Sequence, residues 1–410
     1  MRDERNHNLT ITILLVSVFL LVTGSALQTT LLGVRAGIAG FREESLGVVM
    51  ASFSLGYVAG TTVTVHFLRT VGFVRTFAAL ASTASALAIA HGFFVLPVLW
   101  AVFRFLFGAC YAGLVLTIES WLNQESTREN RGRVLATYGL VFWGATAAGQ
   151  IGVSVASAAG LALFAVVSVA LSLALVPVSL TTIDEPRIDR YERFPLRSLF
   201  AVSPIGAVGV VAVGFVGGAF WGMAPRFAQE IGGQRAVSLF MSSAIVGAVA
   251  MQWPLGRASD RMDRRITILI SALVAAAAAM LIFLTARDTA PATLVLVATY
   301  GASALPLYGL TVAHINDHVR QDDLVSVAGT IVVLLGLGAA AGPIATGTVM
   351  TRLGPRALFL VEAVVLSAYA AFGIVRLHRR DRLRAPAKRH FQALPRTTQV
   401  VTHLLRRRHE

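Results

Sequence analysis

The sequence predicts an all-α integral membrane protein with twelve spanning helices. Three observations lead there. The 410-residue chain is 56% hydrophobic and only 14% charged, with a mean hydropathy of +0.71. That is too little charge to cover a soluble protein of this size. Its apolar residues fall in runs of about 20, the length that crosses a hydrocarbon core of about 30 Å. Its basic residues gather in alternate loops between those runs. The same composition excludes disorder and collagen. A single cysteine, Cys110, excludes a disulfide framework and any multi-cysteine metal site.

Breaks at charges, glycines and prolines place the spans near residues 9–32, 45–68, 74–91, 97–122, 132–155, 157–180, 204–227, 237–256, 266–286, 292–316, 324–348 and 357–376. The fifth and sixth are separated only by the turn signal from Ser157 to Gly160. The first resembles the core of a signal peptide, but its apolar run continues to Leu32 and is long enough to span. With the N-terminus inside, 27 of the 35 Arg and Lys lie on the side of the termini and seven on the other, with Arg104 left within a span. Without the C-terminal tail the ratio is still 16 to 7. Both termini are therefore expected in the cytoplasm, with the chain multi-pass in a bacterial inner membrane. The net charge of +14 thus reports topology and lipid contact, not nucleic-acid binding.

The longest polar connection divides the chain into a six-helix bundle at 1–180, a cytoplasmic linker at 181–199, a second six-helix bundle at 200–376 and a basic tail at 377–410. The halves echo one another. Val65-His-Phe-Leu-Arg-Thr-Val-Gly72 aligns with Gly256-Arg-Ala-Ser-Asp-Arg-Met-Asp263, 191 residues on. Ala148-Gly149-Gln150-Ile151 aligns with Ala341-Gly342-Pro343-Ile344 at 193, and Gly113-Leu114 with Gly309-Leu310 at 196. Duplicated halves around a midplane site are a common transporter design.

Gly256-Arg-Ala-Ser-Asp260-Arg261-Met-Asp263-Arg264-Arg265 resembles the signature loop of the major facilitator superfamily. The first-half copy is degraded: Val65 replaces its glycine and Arg69 its aspartate. Arg104-Phe-Leu-Phe107-Gly108 resembles the fourth-span motif Arg-x-x-Gln-Gly, with Phe107 in place of Gln. Gln150 stands where the fifth-span motif of drug/proton antiporters has proline. Val115-Leu-Thr-Ile-Glu119-Ser-Trp-Leu-Asn123 and Ala313-His314-Ile-Asn316-Asp317 resemble the YcaD-like branch. The resemblance covers residues 9–376. It implies two pseudo-symmetric six-helix bundles, a cavity lined by spans one, four, seven and ten, and support roles for spans three, six, nine and twelve.

A charge within a span costs about 2.5–3.5 kcal/mol by insertion scales and needs a reason. Arg104 and Glu119 lie on one broad face of span four, about 22 Å apart and rotated by roughly 60°, too far to pair. Arg104 reads as an anchor for a substrate anion, or as a structural Arg bonded to neighbouring carbonyls. Glu119 reads as a proton carrier, or as an acid paired with Arg128, Arg131 or Arg133. Gly108 and Tyr111 continue that stripe. On span ten Tyr300, Ser303, Leu307, Thr311 and His314 share a face. His314 with Asp317 one turn on is a candidate proton relay, or a pair that caps the span. Trp143 and Trp221, with Tyr57, Tyr138 and Phe220, offer a stacking surface or plain helix packing. Gly256, Asp260, Arg261 and Arg264 belong to the loop, read as an ion-pair latch or as positive-inside anchoring. Trp100, Trp121 and Trp253 read as interfacial anchors, and Glu362 as an acid reaching the interface or a neighbouring Arg.

No phosphate-binding Gly-x-x-x-x-Gly-Lys-Ser/Thr occurs, and the only Lys is Lys388, in the tail. No metal, cofactor or hydrolytic set is expected, so the chain does not read as an enzyme. The expected function is secondary transport of a small organic solute by alternating access, with proton-coupled export first and uptake by symport or uniport second. A non-transporting membrane sensor or scaffold and a lipid translocator are the other readings. The expected partners are the solute, protons and lipids, with no nucleic acid, for a monomer.

Overall fold

The computed structural model describes residues 2–127, 130–179 and 194–379. Most of the linker and the tail beyond residue 379, with their expected roles, lie outside the described residues, as does Arg128. All the elements in the described residues are helical. The first six spans are Leu9–Ile38, Glu43–Thr70, Phe73–Phe93, Pro97–Gln124, Arg131–Gly152 and Ala162–Ser179. After a short helix at Leu196–Val202 comes a helical stretch of 58 residues, Pro204–Arg261. The last four spans are Arg264–Thr285, Pro291–His318, Ser326–Leu353 and Ala357–His378.

A straight helix of that length would run about 87 Å, nearly three membrane cores. It breaks at Gly232 and Gly233, the latter at φ 71°, a left-handed conformation that glycine adopts without a Cβ clash. Phe227 and Phe240, on opposite sides of the break, bring their rings to 5.6 Å. The chain has therefore turned back on itself. Pro204–Arg261 is spans seven and eight, and the described residues hold twelve spans.

The duplication read from short sequence matches is repeated in the packing. Span one packs on five as seven does on eleven, two on four as eight on ten, and three on six as nine on twelve. The small residues at these crossings correspond. Gly56 lies against the carbonyl of Phe105, and Gly247, 191 residues on, against that of Ala298. Gly108 lies against Phe53 and Gly301 against Ala244, while Gly149 sits over span one and Gly342 over span seven. Such close backbone approach is how helices associate where lipid removes the hydrophobic drive. Gly113 and Gly309 do not correspond. Gly113 packs on Leu80 and Thr64, whereas Gly309 lines the central cavity. Because a Cβ at Gly56 or Gly247 would strike backbone, Gly56→Val and Gly247→Val are each expected to cost about 1–3 kcal/mol or more, read as a loss of folded yield and melting temperature in detergent.

Two sequence readings change here. Trp100 and Trp121 are fully buried rather than interfacial, and only Trp253 is exposed. The Trp100 indole donates to the carbonyl of His91 at 3.0 Å. Glu362 reaches neither the interface nor an arginine: it is fully buried. The inward face of span twelve, invisible without tertiary contacts, decides its place.

Candidate functional site

A cavity of about 270 Å³ lies between the two halves. It draws on spans one, two, four and five from one half and on seven, eight, ten and eleven from the other. Its wall is mainly apolar and aromatic. Of the site residues read from sequence, Arg104, Tyr57, Tyr111, Trp143 and Trp221 line it, whereas Tyr138 and Phe220 do not.

Arg104 is its charged member. The side chain is 1% exposed. Its guanidinium carbon stands 4.3 Å above the Phe53 ring, and Nη2 makes a long 3.4 Å contact to the Thr29 hydroxyl. Nε and Nη1 have no hydrogen-bond partner. Among the described residues, no carboxylate stands within ion-pair distance of it. A guanidinium with idle donors in an apolar recess is poised for an anion. Its interactions are strong there because water does not compete. The Phe53 face beneath it contributes a cation–π contact. Aromatic rings continue the wall: Tyr57 lies 6.5 Å from Tyr111, and Phe107, behind the wall, stacks on Tyr111 at 6.3 Å and 8°.

Gly108, Tyr300, Ser303 and Thr311 lie outside the cavity wall. Gly108 is spent on the crossing with span two. Tyr300 packs 5.2 Å from Phe220, the Ser303 carbonyl accepts from Ser271 at 2.8 Å, and Thr311 is buried beside Gly209 and Tyr369. The reason is local. Span ten breaks after Ala304, with Pro306 before a second helix from Leu307, so one continuous stripe does not exist. Leu305, Pro306, Tyr308 and Gly309 face the cavity instead. Proline's missing N–H and fixed φ made that break readable. Phe53 and Gln252, also in the wall, gave no sequence signal beyond their apolar runs, while Gln150 was visible as a polar residue in the proline position of span five.

Glu119 is 4% exposed, and Tyr138 donates to its Oε1 at 2.6 Å. It does not line the cavity, and Arg131 is turned to Asn123 at 3.0 Å. His314 is buried, with its ring 4.5 Å from that of His318. Asp317 pairs with Arg264 at 3.0 Å, and Arg264 also holds Asp260 at 3.1 Å. The loop at 256–265 is thus tied to the end of span ten through Arg264. Gly256 is buried and Arg261 exposed. Asp263 caps the helix from Arg264, accepting from the Arg265 backbone at 2.9 Å and from its guanidinium at 2.6 Å. The Arg265 hydrogen bond holds the Asp263 carboxyl below the usual carboxylate range.

At the end of the cavity opposite that loop, polar contacts join the halves. Arg226 pairs with Glu43 at 2.9 Å. The Gln234 side chain donates to the carbonyls of Val153 and Ala156, each at 2.5 Å, and accepts from the Ala158 amide at 3.1 Å. Ser238 donates to the Gln150 carbonyl at 2.9 Å. These contacts tie the two halves together at this end.

The family model of the Major Facilitator Superfamily matches residues 206–409. Similarity to that superfamily's members extends across both halves. An uncharacterized MFS-type transporter YcaD of Salmonella arizonae is 26% identical over 360 residues, 87% of this chain and 93% of its own length. YcaD of Escherichia coli K12 is 25% identical over 364 residues, with the same shares. The chain resembles the major facilitator superfamily in sequence. Solved structures agree on the fold. The nucleoside transporter NupG superposes with a TM-score of 0.74 at 13% identity, over 90% of this chain and 99% of its own. A bacterial homologue of the human lysosomal transporter Spinster, inward-facing and unoccupied, gives 0.71 at 14% identity, over 89% and 96%. A major facilitator protein of this architecture is a multi-pass secondary transporter, not an enzyme.

Proposed function

We propose that this transporter exports a small organic solute with an apolar or aromatic body and an acidic group, in exchange for protons, across a bacterial inner membrane. The observation that carries the reading is Arg104, a buried guanidinium with two idle N–H groups in an aromatic cavity shared by both halves. The cavity sits near the lower end of ordinary ligand pockets, about 300–1,000 Å³, which suits a small solute. A cation or a neutral sugar meets the wrong charge or too few polar partners there. Export is favoured electrically: an anion leaving a negative interior gains about 2.3 kcal/mol per 100 mV. The contacts of Arg226, Gln234 and Ser238 then close the outer end, and the cavity loads from the cytoplasm. Both termini and the 256–265 loop face the cytoplasm in this reading. The chain acts as a monomer, since the cavity is complete within it, and basic loops hold lipid phosphates. Glu119, His314 and Asp317 remain candidates for proton handling near the inner end.

The direct test is ligand-dependent melting of the purified protein. Aromatic sulfonates and carboxylates should raise its melting temperature in proportion to the logarithm of concentration, while matched amides and quaternary amines should not. Stabilisation by the amines and not by the acids would sink the reading.

A further inference from the structure

Span twelve carries one acid, Glu362, within the C-terminal half and away from the cavity wall. It is fully buried. One turn earlier, Phe359 is boxed by Phe227 at 5.2 Å, Phe240 at 5.9 Å and Tyr300 at 5.9 Å. Span twelve packs on span nine, span eleven and the seven–eight pair. The Tyr300 hydroxyl of span ten is a hydrogen-bonding partner of the Glu362 carboxyl, and among the described residues no cation pairs with it. A carboxyl in such a place is met by one phenol hydroxyl and by no opposite charge. Acids facing a bundle interior commonly mark proton paths.

Packing joins this acid to the cavity. The Tyr300 ring lies 5.2 Å from Phe220, and Phe220 meets Trp221 edge-on at 5.4 Å. Trp221 lines the cavity, on a turn of span seven that includes Gly217, Gly218 and Gly222. A solute pressing on Trp221, or a shift of span seven, reaches the carboxyl through two rings.

We infer that Glu362 is a proton-binding site of the C-terminal half, shielded in the conformation seen here and opened to water when span seven moves, so that the proton and the solute occupy separate sites joined by Trp221, Phe220 and Tyr300. The inference deepens the proton-coupled reading and rests on it for its use, though not for the proton itself.

Infrared spectra and carbodiimide labelling test the proton without any substrate. Purified wild type at neutral pH should show the C=O stretch of a carboxylic acid in an apolar site. The band should vanish in Glu362→Gln and move in Glu362→Asp, which guards against a variant that misfolds. Dicyclohexylcarbodiimide should label Glu362 by mass spectrometry. In everted vesicles, an imposed pH gradient should accelerate flux of an aromatic sulfonate by wild type but not by Glu362→Gln, so the ratio of gradient-driven to equal-pH flux falls to one. Identical wild-type and Glu362→Gln spectra with no labelling would overturn the inference, as would an unchanged flux ratio in Glu362→Gln. If the wild-type ratio is already one, the export-by-antiport reading fails, and the band and label still decide whether Glu362 holds a proton.

Discussion

Arg104→Gln weakens binding of an aromatic acid by about 10- to 150-fold, the loss expected when a charge-assisted hydrogen bond worth about 1.5–3 kcal/mol is removed. Its effect on stability has the opposite tendency. Arg104 is buried with two idle donors, so a neutral side chain relieves an uncompensated charge and leaves the melting temperature equal or higher. That pairing separates the two sequence readings of the residue. A structural arginine bonded to carbonyls would lose stability on substitution, whereas a ligand anchor loses affinity. Arg104→Lys should fall between, keeping charge but not the planar donor fork or its fit over Phe53. Isothermal titration and thermal melting on the same preparations check both halves of the expectation.

Arg264→Ala is expected to destabilise the protein by about 3–5 kcal/mol, because it strands an acid that is buried in a pair. Asp317 is 5% exposed and faces Arg264 at 3.0 Å. Asp260, at 3.1 Å, is 26% exposed and adds less. The double variant Arg264→Ala/Asp317→Ala should recover part of the loss, since the more buried of the two acids is then gone and only the more exposed Asp260 loses its partner, and Arg264→Lys should cost less than Ala. A double-mutant cycle of melting in detergent measures the coupling. Independent, additive losses would leave the loop as simple charge anchoring and remove the latch.

The helices were legible because lipid demands long apolar runs, and the basic loops carry the topology signal. The fold back between spans seven and eight was written in Gly232 and Gly233, and the duplication in glycines that meet backbone at matched crossings. The cavity was legible in part. Arg104, Tyr111, Trp143 and Trp221 are polar or aromatic residues inside apolar helices, and their chemistry marks them without a contact map. Tyr300, Ser303 and Thr311 were displaced because a stripe drawn by helical periodicity assumes an unbroken helix, and Pro306 resets the register. The His314–Asp317 pairing drawn from spacing competes with Arg264, which is distant in sequence and adjacent in space. Glu362 could not be placed from its own helix, since the rings around it come from spans seven, eight and ten. Trp100 and Trp121 near span ends suggested the interface, but neighbouring helices cover both.

Flux driven by a pH gradient tests the central claim most directly. Everted vesicles holding a respiratory gradient would receive membrane-impermeant aromatic sulfonates and carboxylates, with lipophilic cations and sugars in parallel, for wild type, Arg104→Gln and vesicles without the protein. Proton-coupled export of an acid through the Arg104 cavity predicts that the acids alone dissipate the gradient, and only with wild type. Dissipation by lipophilic cations that survives Arg104→Gln, or none by any acid, would contradict it.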